Sequence, residues 1–226
     1  MSGRARPTVF MGRGQNIRRY MLLVLALGFL SANSALNADF DARLLDAASS
    51  QIGVTVHYDG SYRHLKYPGG DVPLDTGVCA DVVVRAYRKV GIDFQVLVHD
   101  DMAKAWSAYP HLWRLQAPDT NIDHRRVLNL ATFLRRHDSA LPISGNASDY
   151  RPGDLVTWTV AGSLPHIGIV SSDIVASRPL IIHTSAMALR RKTSCSPIRS
   201  PATTVIRSRR ERSCEQEPCQ KFCARR

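Results

Sequence analysis

Apolar residues at Phe40, Leu44, Leu45, Ala48 and Ile52 recur at the spacing of one helix face, so the chain from Asp39 to Gln51 predicts an amphipathic helix. Gly53 stops it, Val54 to Tyr58 alternates as a short strand does, and Asp59-Gly60 begins a turn. The stretch from Tyr67 to Gly77 is dense in Pro, Gly and Asp and runs directly to Cys79, which requires a helix to start near that residue. From Val82 to Val90 the residues Val83, Ala86, Tyr87 and Val90 fall on one helical face, Arg85, Arg88 and Lys89 fall on the other, and Gly91 ends the run.

Residues 95–137 predict two more helices, around Met102 to Tyr109 and Arg126 to Arg136, separated by the polar loop from Asp119 to Arg125. Arg151-Pro152-Gly153-Asp154 reads as a turn opening a strand from Leu155 to Val160. His166 to Val170 and Pro179 to His183 read as two further strands. Helices first and an antiparallel sheet later predict an α+β domain over residues 39–186. Beyond it the sequence turns to Arg, Ser, Cys, Pro and Thr with no hydrophobic period, so residues 187–226 are expected to form a basic tail outside the domain.

Charge sharpens this division. The formal net charge of +11 comes from the ends: residues 1–38 hold five Arg and no acid, and residues 187–226 hold eleven Lys or Arg against three Glu. The body holds fourteen basic residues against sixteen Asp, so it offers no basic face for nucleic acid. At the start, Arg18 and Arg19 precede the apolar run Met21 to Leu30 and the small residues Ser31, Ala32, Ser34 and Ala35. That order matches a secretory signal, and the apolar run is short for a membrane span. The expected location is therefore exported, in the periplasm or cell envelope. An uncleaved N-terminal anchor is the rival, and it would be the one contact with membrane.

An oxidising compartment changes the reading of the cysteines. Four of the five, Cys195, Cys214, Cys219 and Cys223, lie in the tail, leaving Cys79 alone in the body with no partner for a disulfide there. A thiol attacks as thiolate, and the positive end of a helix favours that form. An imidazole can share its proton while a third polar group fixes the ring. His166, at the start of an apolar strand, is the expected base, and His183, at the end of the next strand, the expected orienting group; the reverse assignment of the two rings is the alternative.

The blocks Tyr58-Asp-Gly, Val78-Cys-Ala-Asp-Val-Val-Val-Arg-Ala-Tyr87, Pro152-Gly-Asp-Leu-Val-Thr-Trp158 and His166-Ile-Gly-Ile-Val170 resemble the NlpC-type endopeptidases and CHAP amidases, which are papain-like. A closer resemblance is to a bacterial exported family known as domain of unknown function 1287. It is carried by Val78-Cys-Ala-Asp81, Asn121-Ile-Asp-His-Arg-Arg126, Pro152-Gly-Asp154 and His166-Ile-Gly168. The resemblance implies a Cys-bearing helix packed on a small antiparallel sheet, with Cys79, His166 and His183 at the nucleophile, base and orienting positions. It also implies an oxyanion site at the Cys79 amide and the Tyr58 hydroxyl. The chain departs from the NlpC pattern, which has Asp-Cys-Ser-Gly where this one has Val78-Cys79-Ala80-Asp81. In the resembling family the last histidine strand leads to an Asn-containing loop and a closing strand. Here Thr184-Ser-Ala-Met leads into the basic tail, which motivates the expectation of a disordered or frameshifted C-terminus.

Each residue has a plainer competing role. A lone Cys is often a small core residue. His166 can be a surface ring and His183 a core ring. Asp81 suits the first turn of any helix. Asp123, Arg125 and Arg126 suit a substrate carboxylate through Arg forks, or Asp123 caps the following helix while the arginines are solvated. Eight His invite a metal reading, yet no His-Glu-x-x-His or close His pair occurs, and no cofactor or metal is implied. The expected activity is a thiol-dependent amide hydrolase acting on peptidoglycan peptides. The competing readings are a catalytically inactive envelope-binding module with the same fold and a C-terminally damaged gene product.

Overall fold

Six strands join in one antiparallel sheet in the order β3-β8-β4-β5-β6-β7. They are β3 (Ala140–Leu141), β4 (Leu155–Val160), β5 (Leu164–Val175), β6 (Arg178–His183), β7 (Ser194–Pro197) and β8 (Thr204–Ile206). The computed structural model describes residues 37–137 and 140–184 and the backbone of 194–197 and 204–206. The secretory signal or anchor at residues 1–36, and the tail cysteines Cys214, Cys219 and Cys223, lie outside the described residues. Among the described residues no helix is long and apolar enough to cross a membrane.

Strand alternation gives the sheet two faces with different contents. Leu155, Ile167, Ile169 and Ile182 join the main core. Val156, Val170 and Ile181 form a smaller cluster with Tyr150 on the other side, and Trp158 packs against it. The main core is completed by one stripe from each helix: Phe40, Leu44 and Ala48 of α1 (37–49), Val82, Val83 and Ala86 of α2 (Cys79–Lys89), Val98 and Met102 of α3 (Phe94–Lys104), and Leu130 and Phe133 of α4 (Val127–Arg136). The fold is α+β, with α2 lying against β5.

Three expectations are corrected. The predicted strand from Val54 to Tyr58 shrinks to β1 (His57–Tyr58), which pairs in parallel with β2 (Thr76–Gly77) immediately before α2. The helix predicted around Met102 starts earlier, because the Asp93 carboxylate accepts the Gln95 amide at 3.0 Å and opens α3 at Phe94. Beyond residue 186, β7 pairs with β6 and β8 pairs with β4, so backbone of the basic segment completes the sheet on both sides of the β4-β5-β6 meander. Strands of three or four residues at this position are too short to show a hydrophobic period.

Candidate active site

Cys79 is the first residue of α2, and Val78 before it is extended, which turns the chain abruptly from the β2 backbone into the helix. The turn is fixed from within the helix: the Asp81 carboxylate reaches back and accepts the Val78 N–H at 2.7 Å, satisfying an amide that the helix cannot pair. Gly77 permits the approach. A Cβ on Gly77 would stand 3.1 Å from the Asp81 carboxylate oxygen, tighter than ordinary contacts allow.

The other side of Asp81 faces Arg125, whose fork donates to both carboxylate oxygens, Nε to Oδ1 at 2.9 Å and Nη2 to Oδ2 at 3.0 Å. Both side chains are buried. The remaining capacity of the guanidinium goes to backbone, with Nη1 donating to the Ser61 carbonyl at 3.0 Å and Nη2 to the Asp59 carbonyl at 3.1 Å. One arginine therefore ties the head of α2 to the loop that follows Tyr58. Burial works against its charge, but the Asp81 hydrogen bonds and charge outweigh it and hold the Arg125 pKa above its ordinary value.

Tyr58 completes this corner. Its backbone pairs with Gly77, and its hydroxyl is pushed up in pKa by burial first and then by the charges of Cys79 and Asp81.

Cys79 is 4% exposed. Burial pushes its thiol up to about 12, while the backbone N–H groups of Ile167, Ala80 and Cys79 itself pull the other way and the charge of Asp81 adds to the rise. At this helix start three amides favour the thiolate, and the loss of water opposes it more strongly. The Ile167 amide, one residue beyond His166 on β5, is the largest influence favouring the thiolate.

His166 and His183 meet directly, Nε2 of the first to Nδ1 of the second at 3.0 Å. Trp158, opposite His166 in the β4-β5 register, packs edge-on to both rings, with centroids 4.7 Å and 5.3 Å away. Gly168 makes the pairing of the two rings feasible: a Cβ there would lie 2.8 Å from the Ile182 carbonyl and 3.2 Å from the His183 Cβ. Burial lowers both rings to about 4, in His166 reinforced by the neighbouring His183, and a hydrogen bond to the Thr184 backbone opposes the shift in each. At neutral pH both imidazoles are uncharged. By alternation they stand on the face opposite Ile167 and Ile169, and among the described residues no hydrogen bond joins either ring to Cys79.

The sequence model of the family described as Domain of unknown function (DUF1287) matches residues 45–199, more than half of the chain. The chain belongs to the DUF1287 family. It is similar to the Uncharacterized protein YijF of Escherichia coli (strain K12), 50% identical over 149 residues that cover 66% of this chain and 73% of the relative. No solved structure matches it.

Of the residues expected at the site of this DUF1287 chain, the structure groups Tyr58, Cys79, Asp81 and Arg125 at the head of α2 and pairs His166 with His183. Asp123 and Arg126 make other contacts, and each keeps a buried polar atom, Oδ1 and Nη1, without a hydrogen-bond partner among the described residues. Asp123 is fully buried and accepts from the Asp119 amide at 2.7 Å and pairs with His99 at 3.1 Å, so it does not cap α4, whose first turn follows Arg126. The Arg126 guanidinium lies 4.0 Å over the Trp113 ring. Four of the five Arg125 N–H groups are committed, to Asp81 and to two carbonyls.

Two residues escaped the sequence reading. Arg85, assigned to the polar side of α2, is 7% exposed and grips Asp71 together with the carbonyls of Val72, Pro73 and Thr76, so it folds the turn-dense segment onto the helix. Trp158 covers the imidazole pair. Its signal was its alternation with Val156 in a strand already predicted, two residues along the same face.

Proposed function

We propose that this DUF1287 protein is an exported thiol-dependent amide hydrolase of papain-like, NlpC-type arrangement that acts on peptidoglycan peptides through Cys79, His166 and His183. The observation that supports the reading is Cys79 as the first residue of α2, a helix lying against β5, the strand that bears His166 and its 3.0 Å contact with His183. Export is supported by the run of Arg18-Arg19, Met21 to Leu30 and small residues.

In this reading the resting pair is a neutral thiol and a neutral imidazole. The thiol proton passes to His166 once substrate binding has brought the ring, which rests on the face opposite Ile167, within reach of the sulfur; the S–C bond forms at the scissile carbonyl, and His183 holds and partly stabilises the imidazolium. The Cys79 amide and Tyr58 hydroxyl face the developing oxyanion. His166 then returns the proton to the leaving amine as the C–N bond breaks, and water hydrolyses the thioester, restoring the thiol. Cys79 is 4% exposed, so opening of its surroundings on substrate binding is part of the cycle.

Muropeptide digestion by wild type and Cys79→Ala is the test. Loss of at least roughly a thousandfold in turnover in the variant is expected for removal of a triad nucleophile, and equal turnover would eliminate Cys79 from the chemistry. A second reading, a catalytically silent envelope-binding module, is favoured by the burial and raised pKa of the same thiol. It predicts muropeptide binding without cleavage by both proteins.

A further inference from the structure

We propose that the buried Arg125–Asp81 pair is the positioning device of the thiol site, fixing both the helix turn that presents Cys79 and the loop that presents Tyr58. The inference rests on the reading of Cys79 as a nucleophile, but its geometry is independent of the substrate. Asp81 alone would secure the turn, since its carboxylate accepts the Val78 N–H at 2.7 Å. A carboxylate buried there without compensation would be driven to protonate or to leave, and a protonated one is a poorer acceptor. The bidentate fork of Arg125 keeps it ionised and fixes its plane. The same guanidinium then reaches the carbonyls of Ser61 and Asp59, and Asp59 follows Tyr58 in the chain. The loop is closed a second time at its surface by Arg63 on the Asp59 carboxylate at 2.6 Å and by the Ser61 amide on the same carboxylate at 2.8 Å.

These contacts converge from residues 59, 61, 78, 81 and 125, so no local element accounts for them. A clamp required only for stability has no reason to sit two residues from the nucleophile and to choose its loop carbonyls next to Tyr58. There is also an electrostatic consequence. Asp81 opposes negative charge on the Cys79 sulfur and on the Tyr58 oxygen, and Arg125 beside it cancels part of that opposition at Tyr58. Arg125 is a positioning residue, acting through Asp81 and the loop, and touches no reacting atom.

Alkylation of Cys79 by iodoacetamide across alkaline pH, followed by peptide-resolved mass spectrometry so that the tail cysteines do not contribute, tests the proposal. In Arg125→Met the uncompensated carboxylate moves the alkylation profile of Cys79 to higher pH, and the rate at a fixed pH falls about tenfold for every pH unit the profile moves. Arg125→Lys restores a positive charge and returns the profile toward wild type. Asp81→Asn keeps an acceptor for Val78 but removes the negative charge, and moves the profile to lower pH. A merely structural ion pair would lower the melting temperature while leaving the profile of the folded protein in place; unchanged profiles in Arg125→Met and Asp81→Asn would overturn the proposal. If Arg125→Met does not fold, Asp81→Asn decides alone, since a profile at or above the wild-type pH in that variant is incompatible with the clamp. Muropeptide turnover by Cys79→Ala addresses the nucleophile separately, so either reading can fail while the other stands.

Discussion

The head of α2 and the imidazole pair of β5 and β6 bury polar groups by opposite means. At the first, full charges are taken from water and every arm of Arg125 is matched, to a carboxylate or to a carbonyl. At the second, two ionisable rings are buried uncharged, sharing one hydrogen bond beneath Trp158, and each is held at about 4 by desolvation. A compensated ion pair has no proton to exchange and resists change, so it suits the framing of a site. A neutral ring pair holds one mobile proton at low electrostatic cost, so it suits proton transfer.

The sharpest way to break the contrast is to remove one half of the charged pair. Asp81→Ala leaves the Arg125 guanidinium buried with no carboxylate and frees the Val78 amide, and is expected to cost about 3–5 kcal/mol, as for other broken buried pairs. Urea denaturation of the two proteins measures it. A loss below about 1 kcal/mol, the range of exposed pairs, would mean that solvent already reaches the clamp.

Next in size is the response to acid. Because burial depresses the folded pKa values of His166 and His183 below their unfolded values near 6.5, the unfolded chain binds more protons between about pH 6.5 and 4. Stability from these rings is therefore complete above pH 6.5 and is lost as pH falls through that window. The ceiling is roughly 3 kcal/mol per ring. His183→Gln keeps a hydrogen-bonding side chain but no titration, and should flatten the fall of stability between pH 6.5 and 4 by one ring's share. A wild-type stability flat across that window would show that both rings titrate normally in the folded protein.

The same contrast explains what could be read from the sequence. Helix α2, its start at Cys79 and the strands bearing His166 and His183 were legible, because backbone period and turn residues are local signals. The pairing of the two histidines was also legible, since neighbouring antiparallel strands bring their ends together. Arg125 was not. Its partner Asp81 lies 44 positions earlier, and a guanidinium buried by a fork looks in sequence like one left in water. Arg85 misled for the same reason, its polar character masking six partners supplied by the preceding loop and Thr55. Neutral rings on strands announce themselves through the pattern around them, whereas a charge clamp is a long-range event that composition does not record.

The mildest test probes how closely the two rings must be seated. Gly168 lies across from His183 and two residues from His166 on the face the rings share, and has no side chain where the Ile182 carbonyl and the His183 Cβ approach. Gly168→Ala adds one methyl group against the Ile181 Cγ2 and the Ile182 carbonyl of the paired strand, so a branched side chain and the strand both have to move. Overpacking of this kind costs about 1–3 kcal/mol. The displacement pushes β6 away from β5 where His183 meets His166, lengthening the hydrogen bond between the rings. It also admits water to the rings, so the fall of stability in acid should become shallower as well as starting from a lower value. A Gly168→Ala protein with a lowered melting temperature but the wild-type acid profile would separate the two effects, and would place the depression of the imidazoles in the cover by Trp158 and not in the closeness of the strands.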